Sequence, residues 1–148
     1  MLLDKQNQFS DAQAVTDHTA DTPSSNVIDL GIARDVGGSV TAQLHLLCEV
    51  STAFASGGSA TLQVKVQGSN DNSSFVDLYA SPAVAVASLA QGYRFLPGPL
   101  IARLNDTLYR YVRLDYVVGT ADMTAGRLTA ALVPSLVALD TYARGYTA

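Results

Sequence analysis

From residue 26 onward apolar side chains fall on every second position, and clusters of Gly, Pro, Ser, Asn and Asp cut this alternation into short pieces. A period of two puts successive side chains on opposite faces of an extended backbone, so each piece reads as a half-buried antiparallel strand. Residues 40–50 show it most clearly. Val40, Ala42, Leu44, Leu46, Cys48 and Val50 share one face. Thr41, Gln43, His45 and Glu49 share the other, where Leu47 is the exception.

The same pattern predicts strands over 26–30, 61–67, 75–79, 83–89, 93–96, 107–118 and 127–133. Residues 107–118 are the strongest. Leu108, Val112, Leu114, Tyr116 and Val118 form one face there, with Arg110 intruding, and Tyr109, Tyr111, Arg113, Asp115 and Val117 form the other. Ser56-Gly57-Gly58-Ser59 reads as a hairpin connection, and the last strand is expected to pair back across the turn at 119–125. Composition agrees with strands. Val (15) and Thr (12) are plentiful, whereas Glu (1) and Lys (2), the usual surface helix formers, are scarce.

A chain of 148 residues is one domain. Leu, Ile, Val and Phe number 40 of those 148, enough for a core. About eight strands with turns between them predict an all-β fold: an antiparallel β-sandwich of the jelly-roll kind with extended terminal arms. The expected organisation is an N-terminal arm over 1–25, a sandwich domain over 26–134 and a C-terminal tail over 135–148.

Few reaction chemistries fit these residues. The histidines, His18 and His45, stand in no zinc-binding spacing. No serine lies in Gly-x-Ser-x-Gly. Cys48 falls on the apolar face of its strand, where a buried, inert thiol is expected. Glu49, Asp77 and Asp115 lie on outer faces and read as solvated carboxylates. Asn70-Asp71-Asn72 lacks the spacing and closing Glu of a calcium loop. Neither catalytic residues nor a metal or cofactor site is therefore expected, and the chain reads as a non-enzyme.

The net charge is −4 and the pI is near 4.8, which argues against a nucleic-acid partner. No apolar run is long enough to cross a membrane. The opening Met1-Leu2-Leu3-Asp4 lacks the regions of a signal peptide, and a lone cysteine forms no internal disulfide, so synthesis in a cytoplasm is expected. Tyr109-Arg110-Tyr111-Val112-Arg113 mixes the residue types favoured at protein interfaces. Cross-strand packing explains that stretch equally well.

Three stretches carry a resemblance. They are Ala60-Thr61-Leu62-Gln63-Val64-Lys65-Val66-Gln67-Gly68-Ser69-Asn70-Asp71-Asn72-Ser73-Ser74-Phe75; Tyr109 to Gly119 with Thr124-Ala125-Gly126 and Thr129 to Val133; and the opening through Asn26-Val27-Ile28-Asp29-Leu30-Gly31. Together they resemble small capsid cement, or decoration, proteins of tailed bacteriophages, of the type on podophage heads. The resemblance implies a jelly-roll homodimer on the outer surface of the virion that clamps neighbouring major capsid protein subunits. It carries no catalytic residues.

Expected partner contacts are Leu2, Leu3 and Phe9 in the N-terminal arm, Tyr109, Tyr111 and Arg113 in the long strand, and Tyr142, Arg144 and Tyr146 in the tail. Val66-Gln67-Gly68-Ser69-Asn70-Asp71 followed by an aromatic also resembles discoidin-type sandwiches, which implies an alternative carbohydrate- or receptor-binding module. The absence of Trp weighs against a sugar platform.

Overall fold

The structure is a computed structural model and describes residues 3–36 and 43–134. Its strands are β1 (Gln8–Ala14), β2 (Thr22–Pro23), β3 (Ile28–Asp29), β4 (His45–Ala55), β5 (Thr61–Ser69), β6 (Val76–Ala80), β7 (Val84–Ala85), β8 (Gly98–Pro99), β9 (Arg103–Leu104), β10 (Thr107–Leu108), β11 (Tyr111–Gly119) and β12 (Ala125–Val133). Two single turns of 3-10 helix, Lys5–Asn7 and Val86–Ser88, complete the described elements. The fold is all-β, and every strand pair is antiparallel.

One sheet has the order β1-β12-β4-β8. The other has the order β2-β11-β5-β6, with β3 beside β11 and β7 beside β5. β9 and β10 form a separate ribbon. A single core draws from both sheets, including Leu46, Cys48, Val50, Leu128 and Leu132 from the first and Leu62, Val64, Val66, Val112, Leu114 and Tyr116 from the second. These are the apolar positions of the two-residue alternation, so the faces follow from the pattern.

The pairing partners do not. β4 and β5 lie in different sheets, as do β11 and β12. The connections at 56–60 and 120–124 therefore cross between sheets and are not hairpins. β12 pairs with β4 and β1 instead of returning along β11. Alternation states which side of a strand is apolar, and a strand folded onto either sheet satisfies it equally.

The expected N-terminal arm is partly corrected. Residues 8–14 form β1 at the edge of the first sheet, paired with β12. Phe9 and Val15 are fully buried in the common core. The signal is weak in sequence because β1 is irregular: its register shifts twice against β12, and Ala12 has φ of 45°. A bulge breaks the period of two. The expected strand over 83–89 shrinks to Val84–Ala85 before a 3-10 turn. Residues 93–96 join β4 through one bridge, Glu49 to Arg94.

The long strand expected over 107–118 is broken at 109–110. Asn70 brackets the break: its side-chain amide donates to the Leu108 carbonyl at 3.1 Å, and its oxygen accepts from the Arg110 N–H at 3.0 Å. Arg110 turns outward and grips Asp29 with two 2.8 Å bonds. Leu108 consequently leaves the core face and is exposed. Tyr109 folds over Gly68 so closely that a Cβ there would lie 2.7 Å from its ring. The glycine admits the aromatic ring.

Candidate functional site

The two ends of the sandwich differ in chemistry. One end gathers the start of β4, β6 and β11, the close of β5 and β12, and the β9–β10 ribbon. Hydrogen bonds tie its segments together: Arg34 N–H to the Tyr109 carbonyl at 3.3 Å, Tyr109 N–H to the Ala102 carbonyl at 3.1 Å, and Asn70 to the Leu108 carbonyl. The large apolar side chains exposed among the described residues are Ile32, Val76, Ile101, Leu104 and Leu108, and all five belong to this end. Arg103 and Arg110 stand among them, paired with Asp35 and Asp29. The Arg110 guanidinium holds the Asp29 carboxyl down at about 2.

A separate row of charges crosses the outer face of the second sheet. Lys65 on β5 lies 3.7 Å from Asp21 and 3.4 Å from Asp77, directly opposite Asp115 on β11. Gln67 donates to Asp77 at 2.7 Å and to Asp115 at 3.3 Å. Burial, with the Asp21 carboxylate second, raises the pKa of Asp115 above its ordinary value. Arg113 donates to the Gln67 oxygen at 2.8 Å and lies 3.9 Å over the Phe75 ring. Each carboxylate here has a partner within the sheet, so the row locks β2, β11, β5 and β6 side by side.

At the opposite end, His18 Nδ1 meets Asp122 Oδ1 at 2.5 Å, and the His18 N–H donates to the same oxygen at 3.0 Å. Asp17 lies close enough for the three to supply metal-ligand atoms. All three are exposed, and Asp17 already accepts from Thr19 N–H and hydroxyl at 2.7 and 2.6 Å. The arrangement clasps the segment after β1 to the β11–β12 turn. Asp71, the centre of the calcium-like triplet, accepts from the N–H groups of Ser73 and Ser74 at 2.9 and 2.7 Å. These bonds lower its pKa and make it the organiser of its own loop.

Of the expected contact residues, Phe9 is fully buried and is corrected from contact to core. Leu3 is half-buried, as are Tyr109, Tyr111 and Arg113. Tyr109 packs on the core, and Tyr111 lies under Arg110, 4.9 Å from its guanidinium. Leu2, Tyr142, Arg144 and Tyr146 lie outside the described residues. The exposed apolar set escapes the pattern for two reasons: Ile32, Ile101 and Leu104 sit in short irregular segments where periodicity carries little signal, whereas Val76 and Leu108 fall in stretches read as alternating strands and are exposed in the fold. Cys48 is buried, and burial pushes its thiol up to about 12. The free edge of β1 is blocked: the Gln8 and Phe9 carbonyls accept from Asn26 and Ser25, which disfavours strand addition there.

A match to the Bbp16 family covers residues 9–132. The chain belongs to the Bbp16 family. This family is phage-associated. The match starts at Phe9 in β1 and ends at Leu132 in β12, so the family unit includes the edge strand and both sheets. No curated protein matches the chain.

Proposed function

We propose that this Bbp16-family protein is a structural, non-enzymatic virion subunit. It is made in the host cytoplasm, decorates the outer surface of the phage head as a homodimer, and clamps neighbouring major capsid protein subunits without a cofactor.

The strand order supports the jelly-roll form of this reading. With β2 and β3 taken as one strand, residues 92–99 taken with β8 as another, and the two-residue strands β7, β9 and β10 set aside, eight principal strands remain. The first sheet then runs first-eighth-third-sixth and the second runs second-seventh-fourth-fifth. Two nested Greek keys wind in this way.

The observation that carries the function is the collection of Ile32, Val76, Ile101, Leu104 and Leu108 at one end. Exposed apolar side chains scattered singly need no explanation, but their concentration at one end supports reading that end as the contact surface. The sandwich behind it is cross-linked by side-chain bonds and resists deformation. Repetition over a symmetric shell multiplies a modest interface.

The test is co-sedimentation of purified protein with undecorated, expanded shells, with quantified stoichiometry. Saturation at a fixed number per capsid subunit is expected. An absence of binding to intact expanded shells overturns the proposal.

A further inference from the structure

Two stacked sheets have four edges, and three of them here are closed or blunted. On one side of the sandwich the edge of the first sheet, β1, and that of the second, β2 with β3, bond to each other. The Asn26 N–H donates to the Phe9 carbonyl at 2.9 Å, the Ser25 N–H to Gln13 Oε1 at 2.8 Å, and Gln13 Nε2 to the Pro23 carbonyl at 2.9 Å. On the other side, β8 is two residues long and includes Pro99, with Pro97 just before it. A proline offers no N–H to an added strand.

The fourth edge is β6, followed along β5 by the two-residue β7. β6 pairs with β5 alone and contains neither proline nor lysine. Among the described residues, no hydrogen bond reaches its backbone from the outer side. The Ser81 N–H turns inward to the Val64 carbonyl at 2.8 Å, so alternation along the strand turns the Ala80 N–H and carbonyl outward. Asp77, the charged residue of β6, is held within the sheet by Lys65 and Gln67. Of the devices that protect an edge, β6 has a bulge at Leu78, where its register against β5 shifts.

We infer that β6 pairs antiparallel with β6 of a second copy, joining two second sheets into one continuous sheet across a two-fold axis. The inference rests on the homodimer in the proposed function and specifies its interface. A second copy brings an identical edge with the same unpaired groups, so a single contact satisfies both. With all five residues paired, Val76, which is 41% exposed in the single chain, lies against Ala80, and Asp77 lies against Tyr79. The two Asp77 carboxylates therefore do not face each other directly, and each keeps its own Lys65. Each copy spends its one open edge, so the assembly closes at two.

The test combines sedimentation velocity of the full chain over a range of concentrations with hydrogen exchange at the Ala80 amide. A dimer is expected, with Ala80 exchange slowing about tenfold or more as the dimer fills. Ala80→Pro removes an N–H that β5 does not use, and Val76→Lys sets a charge on the exposed edge. Each is expected to weaken dimerisation about tenfold or more, and Val76→Lys decides the matter if Ala80→Pro fails to fold. His18→Ala, away from this edge, is expected to dimerise as the parent does. A dimer that survives Val76→Lys, with Ala80 exchange independent of concentration, overturns the inference and leaves the homodimer standing on another surface. A monomer at every concentration overturns both.

Discussion

Ser10 and Tyr116 hydrogen-bond at 2.7 Å through the buried core, joining an edge strand of one sheet to an inner strand of the other. The direction of the bond follows from the network. Ser10 gives its one hydroxyl hydrogen to Gln13 Oε1 at 2.7 Å, an atom that only accepts, so Tyr116 donates to Ser10. Gln13 in turn accepts from the Ser25 N–H and donates to the Pro23 carbonyl. The network thereby fastens β1, β2 and the core. Ser10→Ala strands a phenol with no exposure, at a cost of about 1–3 kcal/mol. Tyr116→Phe leaves Ser10 bonded to Gln13 and is expected to cost less. Chemical denaturation of both and of the double variant measures the coupling, and a Ser10→Ala protein as stable as the parent refutes the role.

This network marks the limit of what the sequence reveals. The inward faces of residues 46–50, 62–66 and 112–118 are legible because regular alternation survives there. The strand at 8–14 is hidden by its bulges, and Arg110 is readable as an intrusion only, since its partner Asp29 is 81 residues away. Leu47, anomalous in the alternation, is anomalous in the fold as well: it is buried on the side away from the core. The exposed end remained invisible because assembling it requires knowing which strands are neighbours.

Gly126 opens β12 with φ of 139°, and a Cβ there would lie 2.0 Å from the Phe54 ring. Gly126→Ala therefore meets both backbone strain and a steric clash, and a loss of about 2–4 kcal/mol is expected. Adding Phe54→Ala removes the clash but not the strain, and leaves a cavity, so it is expected to recover little. A urea midpoint unchanged in Gly126→Ala would contradict this account.

The His18–Asp122 clasp titrates at both edges. The hydrogen bond and then the charge of Asp122 raise the pKa of His18 above its ordinary 6.5. That contribution is complete below 6.5 and is lost as pH rises through the raised value. The His18 side chain and then its N–H lower the pKa of Asp122 below its ordinary 3.8. That contribution is present above 3.8 and is lost as pH falls through the lowered value. The clasp is thus tightest between the two limits. NMR titration is expected to show His18 deprotonating later than a free histidine, and Asp122→Asn is expected to abolish the delay. An identical titration in the variant removes the clasp from the account.

Asp115 works in the opposite sense. Burial and the neighbouring Asp21 carboxylate raise its pKa above 3.8, so the fold disfavours its charged form. The penalty is absent below 3.8 and complete above the raised value, and stability falls as pH rises through that window. Asp115→Asn retains an acceptor for Gln67 and sheds the charge. It is expected to be at least as stable as the parent at pH 7, with the advantage closing toward pH 3. Clear destabilisation at pH 7 would show that attraction to Lys65 and Arg113 outweighs the burial.

The exposed apolar end yields the functional prediction. Leu104 and Ile32 lie outside the buried core cluster and are 37% and 66% exposed, so Leu104→Asp and Ile32→Asp are expected to shift stability far less than a core substitution, with Ile32→Asp within about 0.5 kcal/mol. If this end seats on the shell, a carboxylate there must be desolvated without a partner, and affinity for expanded capsids is expected to fall about tenfold or more. His18→Ala, at the opposite end, serves as the control and is expected to bind as the parent does. Decoration that survives both aspartates but fails in the control would place the contact at the His18 end, and a loss shared by all three would point to damage beyond any one surface.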